Sequence, residues 1–60
     1  MSDAMKAFVD FLHDNKENPR VIKYSDKLFD MAHAMQQAES VGIVLDPESV
    51  VEACNAILEG

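Results

Sequence analysis

The stretch AESVGIVLDPESVVEA, residues 38–53, carries the signals for the end of one helix and the start of another. Gly42 can adopt the left-handed backbone conformation just beyond a helix C-cap, where a side chain would be strained. Asp46 is a favourable N-cap, and Pro47 suits the first helical position because its missing N–H would be unpaired there. The connector 43–45 has no partner strand elsewhere in the chain, so we expect it to be extended and buried.

The segment before Asn15 has the apolar spacing of an amphipathic helix. Ser2 is expected to cap it, and its large apolar residues include one stripe at the i, i+3, i+4, i+7 spacing. Phe11 falls off this stripe and is predicted to be partly exposed or packed at an edge. The stripe consists of Met5, Phe8, Val9 and Leu12.

The middle of the chain is predicted to form a short helical turn near 19–24, capped by Asn18, and then a helix from about 26 to 41. Ser25 and Asp26 look like a fresh cap between the two, although one long helix is the alternative. We therefore predict a single all-α domain, residues 1–60, with three main helices. Their approximate bounds are 2–15, 19/26–41 and 47–58, with the extended connector at 43–45.

The composition limits the compartment and the class of partner. Cys54 is the only cysteine, so an internal disulfide is excluded, and no signal-peptide pattern or membrane-length apolar run occurs. These features predict a cytoplasmic protein that does not enter a membrane. Residues 1–27 hold five basic and five acidic residues, whereas residues 28–60 hold six acidic residues and no Lys or Arg. The resulting net charge of −6 argues against nucleic-acid binding and leaves two interpretations of the acidic half: a solubilising face, or a surface that attracts a basic partner.

Residues that could carry chemistry do not form a recognised motif. His13 and His33 are 20 residues apart without the spacing of a zinc site, and a metal site would also require a carboxylate such as Asp30. Cys54 lies on an apolar helix face, where a buried thiol is the simpler interpretation. The acidic pairs, Asp10 with Asp14 and Glu48 with Glu52, are expected to be solvated. We therefore predict no cofactor, no metal and no enzymatic activity.

The predicted core leaves some aromatic residues without cover. Phe29 falls beside the stripe that contains Leu28 and Met31, and a residual apolar patch with Phe11 would suit a protein partner or a second copy. Methionines at helical spacing are most often core residues, but they can also line an adaptable groove. The candidate partner-binding residues are Phe11, Phe29, Met35, Glu48 and Glu52.

Four short segments, in order and spacing, resemble the Nif-eleven-like domain, a small helical family named for nitrogen-fixation gene neighbourhoods and related to leader regions of ribosomally made modified peptides. The resemblance covers most of the chain, although no single segment is specific. The segments are MKAFVDFL with Phe8 and Leu12, ENP with Asn18 and Pro19, AESVG with Ala38 and Gly42, and DPESV with Asp46, Glu48 and Val50.

This resemblance implies a recognition domain that a modifying enzyme or protease binds, so that the enzyme acts on a downstream core peptide. We expect the partner to bind the surface of the second and third main helices, 19/26–41 and 47–58. These 60 residues contain neither a double-glycine cleavage signal nor a Ser/Thr/Cys-rich core peptide. Two interpretations remain open: the core peptide lies outside this sequence, or the chain is a stand-alone member with another role. An alternative class of function is a small acidic inhibitor or regulatory adaptor that binds a basic surface, as a monomer or as a homodimer.

Overall fold

The structure, a computed structural model, describes all 60 residues and contains four helices and no strand. The helices are α1 (Asp3–Asp14), α2 (Pro19–Lys23), α3 (Ser25–Ser40) and α4 (Pro47–Glu59). The prediction of a small all-α domain is confirmed, and its helix bounds differ from the observed ones by one residue at most. None of the four helices combines the length and apolar character that crossing a bilayer requires.

Three helices begin with the side-chain caps that the sequence predicts. In each, a side-chain oxygen accepts a hydrogen bond from a backbone N–H in the first turn, which would otherwise have no partner in the helix. The pairs are Ser2 with the N–H of Met5 (3.0 Å), Asn18 with that of Arg20 (3.0 Å) and Asp46 with that of Ser49 (3.2 Å).

The cap predicted at Ser25 and Asp26 is wrong. Helix α3 has Tyr24 as its N-cap, and no side chain bonds to its first turn. The N–H of Tyr24 donates to the carbonyl of Arg20 (2.9 Å), and the N–H of Leu28 donates to the carbonyl of Tyr24 (3.1 Å). Tyr24 therefore ends α2 and begins α3, so α3 follows α2 after a single residue.

The helix end at Gly42 is confirmed in detail. Gly42 has a φ of +87°, and its N–H donates to the carbonyl of Glu39 at 3.1 Å. The next N–H, of Ile43, reaches back to the carbonyl of Ala38 at 3.1 Å. These two bonds form a Schellman motif, which satisfies carbonyls that the helix itself leaves free.

The connector 43–45 forms neither helix nor strand, and the prediction that it is buried is wrong. Val44 is 95% exposed and Ile43 is also exposed, whereas Leu45 is half-buried and packs against the core. A single connector lying on the surface cannot turn three consecutive side chains inward, because they leave the backbone in different directions. The outcome is an apolar segment left open to solvent.

The core lies mainly between α1 and α4, which make the closest helix pairing, with α3 covering one side. Phe11 is only 8% exposed, so the prediction that it lies at an edge is wrong, and Val9 is on the outside instead. The reason is Ala4. This small residue is buried together with Phe8 and Phe11, so the inward face of α1 lies one position away from the predicted stripe. The eight core residues are Ala4, Phe8, Phe11, Leu28, Met35, Val50, Cys54 and Leu58.

Helices α1 and α3 run antiparallel. The hydroxyl of Ser2, at the start of α1, donates to the carboxylate of Glu39 near the end of α3. At the opposite end, Leu12 and Ser25 line one depression. The molecule is elongated, with principal extents of 33 × 18 × 16 Å, and α3 extends along one of its sides.

Candidate interaction surface

The most exposed aromatic side chain belongs to Phe29, which is 75% accessible to solvent. It stands at the edge of a depression of about 340 Å³ between α1, α2 and α3. Six of the eight lining residues are apolar, and the two polar ones are Lys16 and Ser25. The apolar lining residues are Phe8, Leu12, Val21, Leu28, Phe29 and Ala32.

A second depression, of about 450 Å³, continues from the first between α1 and α3. It shares Phe29 and Ala32 with the first and adds Met5, His33 and Gln36. We call the two together the α1/α3 groove. Its α3 side extends from Ser25 to Gln36, which at 1.5 Å per residue is about 16 Å or three helical turns. A groove of this length accommodates a short segment of another chain.

The α1/α3 groove carries no carboxylate, although the chain contains 11 acidic residues. Its only ionisable side chains are those of Lys16 and His33. Lys16 makes no ion pair, because the single salt bridge of the molecule joins Lys6 to Asp10 at 3.0 Å. The groove therefore offers an apolar floor with one unpaired positive charge at its border.

A second surface of distinct chemistry is the outer side of α4. Glu48, Glu52 and Glu59 are all exposed there, and none has an ion-pair partner. The two glutamates at positions 48 and 52 are one helical turn apart, as the spacing predicts. This face is purely anionic, and it is suited to attracting a basic surface rather than to burying apolar groups.

The five predicted partner-binding residues are therefore divided between the core and two surfaces. Phe11 and Met35 are buried, which corrects the expectation that they contribute to an accessible surface. Phe29 lies on the α1/α3 groove, while Glu48 and Glu52 lie on α4, which contributes no residue to that groove. A partner role for these three exposed residues remains a prediction.

Several groove residues were not identified from the sequence. Lys16, Val21 and Ala32 belong to three different segments, and they line one groove only because α1 and α3 stand slightly apart. The exposure of Val41, Ile43 and Val44 was also missed, because it depends on where the connector lies relative to the helices. A usable signal was the alanine at position 32, because a small residue between Phe29 and Gln36 leaves a hollow on that helix face.

The cysteine and the two histidines do not form a reactive cluster. The Cys54 side chain is 0% exposed, and burial raises the pKa of its thiol. Its Sγ lies 3.9 Å from the Sδ of Met31. His13 and His33 are exposed on different helices, and no three His, Cys, Asp or Glu side chains lie close enough to hold a metal ion.

Comparison of this chain with protein-family models, with curated proteins and with solved structures finds no match. Its function is therefore argued from its own surfaces. The α1/α3 groove combines an exposed aromatic side chain with a defined concave shape. The outer face of α4 carries negative charge but contributes no residue to that groove.

Proposed function

We propose that this protein is a non-enzymatic, cytoplasmic protein–protein recognition domain of the leader-peptide type, and that its partner docks on the α1/α3 groove. The observation that carries this proposal is Phe29, an aromatic side chain left 75% exposed in a chain with only eight buried residues. Leaving a phenylalanine in water forgoes roughly 1.5–3 kcal/mol of burial free energy. A partner that covers Phe29 recovers that free energy on binding.

The shape of the surface supports recognition of a protein segment. Interface hot spots are typically aromatic anchors surrounded by apolar contacts that exclude water. Phe29 has such a surrounding in Leu12, Val21 and Ala32. The groove is open along about three helical turns, which matches the way an amphipathic helix lies in a groove.

The resemblance to the Nif-eleven-like domain supports the class of partner. That family implies binding by a peptide-modifying enzyme or a protease. The surface predicted for this binding belongs to the helices 19/26–41 and 47–58, which the structure forms as α2 with α3 and as α4. Val21 of α2 and Phe29 of α3 line the groove, whereas α4 contributes no residue to it. The proposed partner is therefore an enzyme that binds this domain as a recognition element while it modifies or cleaves a peptide.

Affinity isolation with matched variants tests this proposal. The wild type is compared with Phe29→Ser, which removes the anchor, and with Ala53→Ser, an exposed change on α4. We expect the wild type and Ala53→Ser to retain the same modifying enzyme or protease and Phe29→Ser to lose it. Retention by Phe29→Ser, or capture of proteins without such activity, contradicts the proposal.

A second candidate function, an acidic inhibitor or adaptor, rests on the unpaired glutamates of α4. Residues 28–60 contain six acidic residues and no basic one, so this half attracts a basic surface. The double variant Glu48→Gln/Glu52→Gln removes two of these charges while Phe29 stays intact. Loss of the partner in this variant, together with binding that weakens as salt is added, favours the adaptor; loss only in Phe29→Ser favours the groove.

A further inference from the structure

Exposed apolar side chains lie at both ends of α3. Phe29 is near its first turn, and the α1/α3 groove surrounds it. Just beyond its last turn, Val41, Ile43 and Val44 are all exposed, and Val44 is almost fully so. The distance along the helix from position 29 to position 41 is about 18 Å at 1.5 Å per residue. One molecule therefore presents both an apolar groove and an apolar segment of a size to enter it.

The two ends of α3 also differ in charge: the region around its start is positive, and the region around its end is negative. Residues 16–30, around its start, hold four basic and three acidic residues, a net charge of +1. Residues 39–48, around its end, hold Glu39, Asp46 and Glu48 and no basic residue, a net charge of −3. The ammonium groups of Lys23 and Lys27 are held at the start of α3, over the ring of Tyr24 at 5.3 and 5.6 Å from its centroid.

We propose that two copies of this chain associate about a two-fold axis with their α3 helices antiparallel, so that the α1/α3 groove of each receives Val41–Val44 of the other. A two-fold axis across the middle of α3 places the start of one helix beside the end of its partner. Both apolar sets are then covered in both chains at once. The occupant of the groove is thus a second copy.

Electrostatics decides between an antiparallel and a parallel arrangement. A parallel pair would place the two −3 ends side by side, whereas the antiparallel pair places each −3 end beside a +1 end. Helix dipoles add to this preference, because antiparallel neighbours oppose positive and negative ends. In the middle, the exposed face of α3 carries His33 and Gln36, which bring no carboxylate to the axis.

The available area is consistent with a stable pair. A standard interface buries about 800 Å² per partner, and the whole chain exposes 4304 Å², so about a fifth of the surface must be covered. Only a contact along the long side of a molecule of 33 × 18 × 16 Å provides such an area. Helix α3, with 16 residues, extends along one of those sides.

This inference rests on the same groove as the proposed function, so a second copy of the chain and the proposed enzyme partner compete for it. The two fail separately. A wild type that is monomeric but loses an enzyme partner on Phe29→Ser contradicts the dimer alone. A wild type that dimerises through the groove but has no such partner contradicts the leader-type function alone.

The first test is the oligomeric state of the full chain by sedimentation equilibrium from micromolar to millimolar concentration. We expect a species of about twice the 6.7 kDa chain mass for the wild type and monomers for Phe29→Lys and Val44→Asp. Both sites are exposed, so far-UV circular dichroism should report unchanged helix content. The matched controls Ala56→Lys and Ala56→Asp, on the exposed side of α4, should remain dimeric.

The second test mixes the Phe29→Lys and Val44→Asp chains. In the antiparallel pair, one of the two contacts in a mixed dimer is fully wild type, and the other joins a lysine to an aspartate. We therefore expect the mixture to form a heterodimer although neither variant associates alone. A monomeric wild type, dimeric single variants, or a mixture that stays monomeric each overturns the proposal; the last outcome also follows from a parallel pair.

Discussion

At the scale of single residues, Gly42 has the clearest structural requirement. Its φ of +87° lies in the left-handed region, and the Schellman bonds of the α3 C-terminus depend on that conformation. No heavy atom lies within 4 Å of the position that a Cβ would occupy. The cost of adding a side chain therefore arises from backbone strain alone, without a steric clash.

Gly42→Ala should lower the free energy of unfolding by on the order of 1 kcal/mol, because alanine is strained at positive φ. Urea denaturation measures this as a lower midpoint with an unchanged slope. Gly42→Asn provides the control, since asparagine tolerates the left-handed region better and should lose less. If alanine is as stable as glycine at this position, the helix end is not where the structure places it.

The buried thiol of Cys54 should make the free energy of unfolding depend on pH. Its folded thiol pKa is raised by burial, so the native chain keeps this proton at pH values where the unfolded thiol, with a pKa of about 8.5, has lost it. The associated stability is complete below about pH 8.5 and is lost as the pH rises towards the folded pKa. Unfolding free energies of the wild type and Cys54→Ala between neutral and alkaline pH should therefore converge at high pH. A constant difference contradicts a raised thiol pKa.

At the scale of elements, the short helix α2 has a role that its length does not suggest. It buries no residue of its own, yet the guanidinium of Arg20 donates to the carbonyl of Leu58 at 2.9 Å. This carbonyl belongs to the last turn of α4, where the helix lacks internal donors and carries partial negative charge. Through Arg20, α2 thus caps the end of α4.

Arg20→Ala should lower the free energy of unfolding by about 1 kcal/mol, the order expected for a partly exposed charge-assisted hydrogen bond. Thermal or urea unfolding provides the measurement. Arg20→Lys serves as the control: it keeps the charge near the helix end but loses the planar donor, so an intermediate loss is expected. Equal stability of all three proteins would show that the bond to Leu58 contributes nothing.

At the scale of the whole molecule, the two phenylalanines that the sequence assigns to one patch have opposite roles. Phe11 is part of the α1–α4 core, while Phe29 is on the surface. A chain of 60 residues has a stability of only a few kcal/mol, so the loss of one large core side chain is comparable with the total.

Phe11→Ala should therefore cost about 3–5 kcal/mol and leave the chain largely unfolded at 25 °C, whereas Phe29→Ala should change stability by about 0.5 kcal/mol or less. Circular dichroism and urea titration at low protein concentration, where the proposed dimer dissociates, compare the two variants. Similar losses for both would contradict the placement of the core.

The sequence by itself determined the features that depend on neighbours along the chain. The caps at Ser2, Asn18 and Asp46 and the helix end at Gly42 each rest on contacts within a few residues, so residue type and spacing suffice to predict them. The all-α class follows from the same local patterns.

Only the tertiary structure decided which apolar residues are covered. Phe11 entered the core because the small Ala4 lets α4 pack on that side of α1, and the connector was left exposed because it lies on the surface. The α1/α3 groove likewise depends on how closely two helices, separated by 10 residues of chain, approach each other. Burial is a property of packing between distant segments, and periodicity within one segment records only which faces are apolar.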